Sequence, residues 1–164
     1  MILVTLGTQD KSFSRLLTAI QKQIDLGIIK DKVVVQAGCT KFESKDMEIF
    51  DLIPMDDFDK LIKQCDLLIT HGGVGSIIAG LKNNKKVIAA ARLKKYKEHI
   101  NDHQLQIIDN FSASGYIMKL DNFDLLGDLI EKSVNFEPKK YKSNVENFRN
   151  TIVECIENLW IRSI

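Results

Sequence analysis

Short unbroken apolar runs alternate along this chain with longer stretches in which apolar residues recur at a helical period. Ile2 to Leu6 is the first run, and it stops at Gly7-Thr8-Gln9-Asp10. Behind it, Leu16, Leu17, Ile20 and Ile24 fall on one face of a helix that Ser12 or Ser14 can cap. Val33 to Val35 predicts a second strand, closed by Ala37-Gly38-Cys39-Thr40, and Ile49 to Ile53 a third, closed by Pro54. Asp56 or Asp57 then caps a short helix carrying Phe58, Leu61 and Ile62. A fourth strand over Leu67 to Ile69 runs into T-H-G-G-V-G-S (70–76) and a helix ending near Asn83 and Asn84. Val87 to Ala91 predicts a fifth strand. After R-L-K-K-Y-K-E-H-I (92–100), Asn101 or Asp102 caps a helix running to about Ala113. Tyr116 to Met118 predicts a sixth strand and Phe123 to Ile130 a further helix. Past Pro138, the apolar positions Val145, Phe148, Ile152, Ile156 and Leu159 mark a last helix over about 141–162.

Strands that alternate with helices, and are apolar on both faces, predict a mostly parallel sheet covered on both sides. The fold class expected is therefore α/β, a Rossmann-like three-layer domain. With 164 residues and no internal linker or repeat, the chain is expected to form one domain over residues 1–164. In such sheets ligands sit beyond the carboxyl ends of the strands. The loops expected there are Gly7-Thr8-Gln9, Ala37-Gly38, His71-Gly72-Gly73 and the segment from Arg92 onward.

Composition narrows the function classes. An apolar fraction of 45% and a charged fraction of 27% exclude wholesale disorder, and a formal net charge of +1 offers no global attraction to nucleic acid or anionic lipid. Cys39, Cys65 and Cys155 are odd in number and lack C-x-x-C spacing, which reads as reduced thiols in a cytosolic protein. The N-terminal M-I-L-V-T-L-G-T lacks the basic leader of a signal peptide, and no apolar stretch approaches membrane-spanning length.

Three segments could carry chemistry. In H-G-G-V-G-S (71–76) the glycines permit a sharp turn and a close ligand approach, and the following helix start offers unpaired N–H groups and a partial positive charge. That suits a phosphate or pyrophosphate; the competing reading is glycine used only for tight strand–helix packing. Neither G-x-G-x-x-G after the first strand nor a phosphate-loop G-K-[S/T] is present, which disfavours a generic dinucleotide-binding domain such as a small dehydrogenase. In N-D-H-Q (101–104), Asp102 and Gln104 could hydrogen-bond sugar hydroxyls, or the segment could simply cap a helix. The basic run R-L-K-K-Y-K (92–97) could meet ligand phosphates or a membrane surface, or be a solvated loop. His71, His99 and His103 lack carboxylate or thiolate partners at ligand spacing, so no metal site is expected.

The stretch C-D-L-L-I-T-H-G-G-V-G-S (65–76), followed by N-D-H-Q-L-Q-I-I (101–108) and G-Y-I-M-K-L (115–120), resembles the carboxyl-terminal domain of glycosyltransferase family 28, the MurG-like group. The opening V-T-L-G-T (4–8) resembles the start of that domain, so the likeness covers most of the chain. It is strongest to small single-domain members. These are the catalytic-side subunit of the split transferase that adds the second GlcNAc to dolichol-linked sugar, and similar bacterial exopolysaccharide and capsule proteins.

The resemblance implies the donor-binding half of a GT-B glycosyltransferase. By position, His71, Gly72, Gly73, Gly75 and Ser76 would hold the pyrophosphate of a UDP-sugar, Asp102 and Gln104 would face the sugar hydroxyls, and Gly7 and Thr8 would line the cleft. Arg92 joins these as a candidate substrate-binding residue. Many relatives place an acidic residue three positions after the serine, where it can meet the ribose; this chain has Ala79 there. A two-domain transferase of this kind is about twice as long, and its acceptor-binding half would precede Met1. The general base that an inverting transfer needs would then come from a membrane-associated partner, with the UDP-sugar as substrate and no cofactor. The implied subunit is cytoplasmic, recruited to the inner membrane face by that partner in exopolysaccharide or capsule synthesis. The C-terminal helix, with Phe148 and Trp160, would either dock the partner or pack on its own sheet. A non-catalytic enhancer of a membrane-associated transferase is the alternative, and Ala79 is the feature favouring it.

Overall fold

The computed structural model describes residues 1–142. Six strands form one parallel sheet: β1 (Ile2–Thr5), β2 (Val33–Gln36), β3 (Met47–Phe50), β4 (Leu67–His71), β5 (Lys86–Ala90) and β6 (Met118–Leu120). Their spatial order is β3-β2-β1-β4-β5-β6, so the direction of winding reverses between β1 and β4. In doubly wound sheets that reversal opens a crevice at the carboxyl ends of the two strands. Register puts Thr5 beside Thr70, with β4 running one residue further to His71.

Helices α1 (Ser14–Asp25), α2 (Met55–Gln64), α3 (Val74–Lys82), α4 (His103–Ala113) and α5 (Leu126–Ser133) cover both faces. The alternation of strand residues explains the layering. Ile2, Val4, Val33, Val35, Ile69 and Ile88 point to one core with Leu16, Leu17 and Ile20 of α1 and Leu126 of α5. Leu3, Val34, Leu68, Val87 and Ala89 point to the other, with Ile62 of α2, Ile77 and Leu81 of α3, and Ile108 of α4. Runs apolar at every position, as read from the sequence, are what two buried faces require.

Several boundaries differ from the sequence expectation. The third strand ends at Phe50, not Ile53; just past the ends of β2 and β3 the Phe50 and Asp51 carbonyls accept from Ala37 and Gly38 N–H (2.8 and 2.8 Å), and the β2 chain turns at Gly38 (φ +60°). The segment 51–54 is therefore a loop at the carboxyl end of the sheet. The sixth strand begins at Met118, not Tyr116. Helix α1 starts after Phe13, with no side-chain cap from Ser12 or Ser14. Phe13 is fully buried and its N–H donates to Thr40 Oγ1 at 2.9 Å, so packing fixes this helix start instead. Helix α2 follows Pro54, with Asp56 and Asp57 in its first turn as uncapped, dipole-favoured charges.

Cys39 and Cys65 are free thiols, the first exposed and the second buried. Cys155 and the helix expected over about 141–162 lie outside the described residues. Among the described residues no helix is long and apolar enough to cross a membrane.

Candidate functional site

A cleft of about 510 Å³ opens at the carboxyl end of the sheet over the point where winding reverses. One wall is the turn from β4 into α3, contributing His71, Gly73, Gly75, Ser76 and Ala79. Gly7 and Thr8, following β1, form the floor beside it. The opposite side is made by Gln36 at the end of β2, Leu52 and Ile53 of the loop after β3, and Met55, Phe58 and Asp59 of α2.

The start of α3 is open. Gly73 is its N-cap in an extended conformation, no side chain caps it, and no acidic residue lies in its first turn. The first N–H groups of a helix have no intrahelical partner, so Val74, Gly75 and Ser76 offer backbone donors toward the cleft at the positive end of the helix dipole. A Cβ built on Gly75 would meet nothing within 4 Å. The protein's own packing therefore does not demand glycine there, whereas a ligand seated on those N–H groups would.

His71 is held between two glycines. A Cβ at Gly7 (φ +78°) would lie 2.5 Å from its Nε2, and one at Gly73 would lie closer still to the same atom, so both positions must lack a side chain for the ring to fit. The ring is 9% exposed, and its Nδ1 stands 3.3 Å from the Thr5 carbonyl. A carbonyl only accepts, so Nδ1 carries the proton and Nε2 is left with a lone pair. Burial, then the nearby Arg92 guanidinium, push the His71 pKa down to about 4. At neutral pH this ring is uncharged and presents an acceptor; it donates to a phosphate only after an anion's field has drawn a proton onto Nε2. For His71 to hold a pyrophosphate as a hydrogen-bond donor, as the resemblance would have it, this added step is needed. Below the ring, Thr5 Oγ1 and Thr70 Oγ1 form a buried hydrogen bond of 2.7 Å that joins β1 to β4.

Arg92 does not reach the cleft, and its assignment as a substrate-binding residue is corrected. It is 0% exposed, and its guanidinium donates to the carbonyls of Lys11 (2.5 Å), Glu98 (3.3 Å) and Leu6 while stacking 5.2 Å from the Phe13 ring. Its role is to tie the loop after β5 to the loop after β1, the one that carries Gly7 and Thr8. Glu98, also buried, completes this clamp by accepting from Leu93 N–H (3.0 Å) and from Arg15 at 2.9 and 2.8 Å.

Gln104 stands behind the turn. Its Oε1 accepts from Gly72 N–H (3.2 Å) and Arg92 N–H (3.0 Å), stitching the ends of β4 and β5 to α4. A Cβ on Gly72 would sit 2.7 Å from Gln104 Cβ, so Gly72 is small for contact with α4. With both lone pairs of that oxygen engaged, only the amide nitrogen is left for a sugar hydroxyl. Asp102 is exposed at the start of α4 and makes no side-chain cap there; its Oδ1 accepts from Lys94 N–H at 2.8 Å. Gly72, Asp102 and Gln104 thus border the turn without lining the cleft, while Gly7, Thr8, His71, Gly73, Gly75 and Ser76 line it.

The far wall is not predicted by the sequence. Gln36, Leu52, Ile53, Met55, Phe58 and Asp59 carry no motif, and residues 51–53 read there as strand rather than as a carboxyl-end loop. Leu52 and Met55 stand at its rim, 64% and 73% exposed.

The glycosyltransferase family 28 C-terminal domain model matches residues 1–159. The chain belongs to this family. Within it, the chain is 34% identical over 79 residues to the UDP-N-acetylglucosamine transferase subunit ALG13 of Candida albicans, which covers 48% of the chain and 26% of that protein. The subunit of the same name from Debaryomyces hansenii is 26% identical over 137 residues, or 84% of the chain and 59% of that protein. This family 28 chain therefore spans about a quarter and three-fifths of the lengths of those two relatives. Its fold is shared with the solution structure of ALG13 (TM-score 0.59, 20% identity, 90% of this chain and 92% of that one). It is shared too with MurG of Acinetobacter baumannii (TM-score 0.53, 13% identity, 80% and 41%). The Rossmann-like architecture expected from the sequence is the one observed.

Proposed function

We propose that this family 28 chain is the donor-binding subunit of a bipartite, inverting glycosyltransferase that moves a hexose from a UDP-sugar to a lipid-linked acceptor. The observation that carries this reading is the uncapped start of α3, aimed into a cleft at the point of reversed winding, with His71 seated between two glycines beside it. Val74, Gly75 and Ser76 N–H groups and the helix dipole would hold the diphosphate and stabilise the UDP leaving group as its charge develops. The apolar side chains Leu52, Ile53, Met55 and Phe58 would take the base. Gln104 and Asp102 would act at the sugar end, Gln104 through its amide nitrogen.

The acceptor site and the general base are assigned to a membrane-associated partner. Partner recruitment from the cytoplasm to the inner membrane face belongs to the same proposal. The names of the two curated relatives make N-acetylglucosamine the first sugar to test; a place in exopolysaccharide or capsule synthesis rests on the sequence resemblance alone. The experiment is transfer from radiolabelled UDP-sugars to a lipid-linked acceptor, with the chain alone, the partner alone, and both. The split-enzyme reading predicts product only with both. Full activity from the chain alone contradicts it, and full activity from the partner alone favours the enhancer role.

A further inference from the structure

A nucleoside diphosphate seated on the α3 N-terminus has a constraint on where its ribose lies. The sugar is joined to the α-phosphate through a single CH₂–O link, so it lies in the same cleft, a few bonds from the N–H donors. Beyond Ser76, the α3 wall of that cleft is Ala79, which offers a methyl group only. A ribose diol buried against a wall without acceptors would lose its hydrogen bonds to water and regain none. The cleft has one carboxylate among its described lining residues, and it stands on the facing helix: Asp59 of α2, beside Phe58. Asp59 is exposed and has no hydrogen-bond or ion-pair partner among the described residues, whereas its neighbour Asp57 is taken by Lys60 at 2.8 Å. An unpaired carboxylate accepts two hydroxyls at once, the geometry that a vicinal diol offers.

We propose that the Asp59 carboxylate holds the ribose diol of the nucleoside diphosphate donor, the contact being made from α2 rather than from α3. This rests on the cleft being a nucleoside diphosphate site. It makes Asp59 a specificity-determining residue, selecting ribonucleotides over deoxyribonucleotides and over bare diphosphate.

The test is calorimetric titration of the full chain, with partner subunit present, using UDP, 2′-deoxy-UDP and inorganic pyrophosphate. Hydrogen bonds to a charged group correspond to roughly tenfold or more in affinity, so wild type should bind UDP at least about tenfold tighter than 2′-deoxy-UDP. Asp59→Ala should weaken UDP by a similar factor, abolish the preference over 2′-deoxy-UDP and leave pyrophosphate unchanged. Adding Ala79→Glu to Asp59→Ala should restore part of the preference by returning a carboxylate to the opposite wall. Undiminished discrimination in Asp59→Ala overturns the proposal while leaving the diphosphate site intact. So does unchanged UDP affinity with slowed transfer, which would assign Asp59 to the acceptor. Failure of wild type to bind either UDP or pyrophosphate would overturn the site itself, and the two failures are thereby told apart.

Discussion

His71 couples the cleft to pH. Its pKa in the folded chain is lowered to about 4 from an ordinary 6.5, mainly by burial, so below 6.5 the unfolded chain takes up a proton that the folded one resists. The stability that this neutral ring contributes is therefore complete above 6.5 and lost as pH falls toward 4, up to about 3 kcal/mol at the lower end. Denaturant titrations across that window should show a steeper acid loss for wild type than for His71→Gln; parallel curves would contradict the burial argument. Arg92 yields a different expectation. Arg92→Met leaves the Leu6, Lys11 and Glu98 carbonyls without their donor and should cost about 3 kcal/mol or more in unfolding free energy. A Lys94 or Lys95 substitution should cost almost nothing, since both side chains are exposed. In R-L-K-K-Y-K the four cations look alike in sequence. Only tertiary packing shows that the first is folded inward against Phe13, because nothing local distinguishes a buried guanidinium from a solvated one.

The turn from β4 into α3 is legible in its glycines, because an apolar β-run that stops at His71-Gly72-Gly73 and restarts with a helical period marks a sharp strand-to-helix turn. Its glycines nevertheless do different things: Gly7 and Gly73 clear the His71 ring, Gly72 clears α4, and Gly75 clears nothing in the protein. Gly75→Ala is thus expected to fold normally, with stability unchanged or raised by up to about 1 kcal/mol from better helix propensity. It should weaken UDP by about tenfold or more, since the added methyl stands where the diphosphate meets the α3 N–H groups. Thermal unfolding and ligand titration on the same sample separate these effects; a destabilised Gly75→Ala would contradict the free space seen around that residue. The loop after β3 is the element the sequence conceals. Asp51-Leu52-Ile53 continues the run from Ile49 without a turn signal before Pro54, and only the neighbouring chain, which leaves the ladder by turning at Gly38 (φ +60°), shows where pairing stops. With that loop read as strand, a whole wall of the cleft is hidden.

Across the whole molecule, alternating strands and helices with doubly apolar strands suffice to predict a parallel three-layer domain. The order β3-β2-β1-β4-β5-β6 then determines which loops meet. Gly7 and His71 are distant in sequence yet adjacent at the carboxyl ends of β1 and β4, and the ring fits only because Gly7 lacks a side chain there. Loop-to-loop ties such as Arg92 to Leu6 and Lys11 have no short-range pattern, which is why periodicity and motifs do not reveal them. The exposed Leu52 and Met55 at the cleft rim predict a further outcome: UDP should protect the 51–59 segment from hydrogen exchange, and the C-terminal half of α4 much less.

If the uncapped start of α3 and His71 together form a diphosphate site for a nucleotide sugar, the decisive experiment is calorimetric titration of UDP into wild type and Gly75→Ala. Partner subunit is present throughout, and pyrophosphate serves as a second titrant. Both ligands should bind wild type, and both should be weakened at least about tenfold by the added methyl. Binding of UDP that is indifferent to Gly75→Ala, or no binding of either ligand to wild type, would contradict a diphosphate site at this helix start.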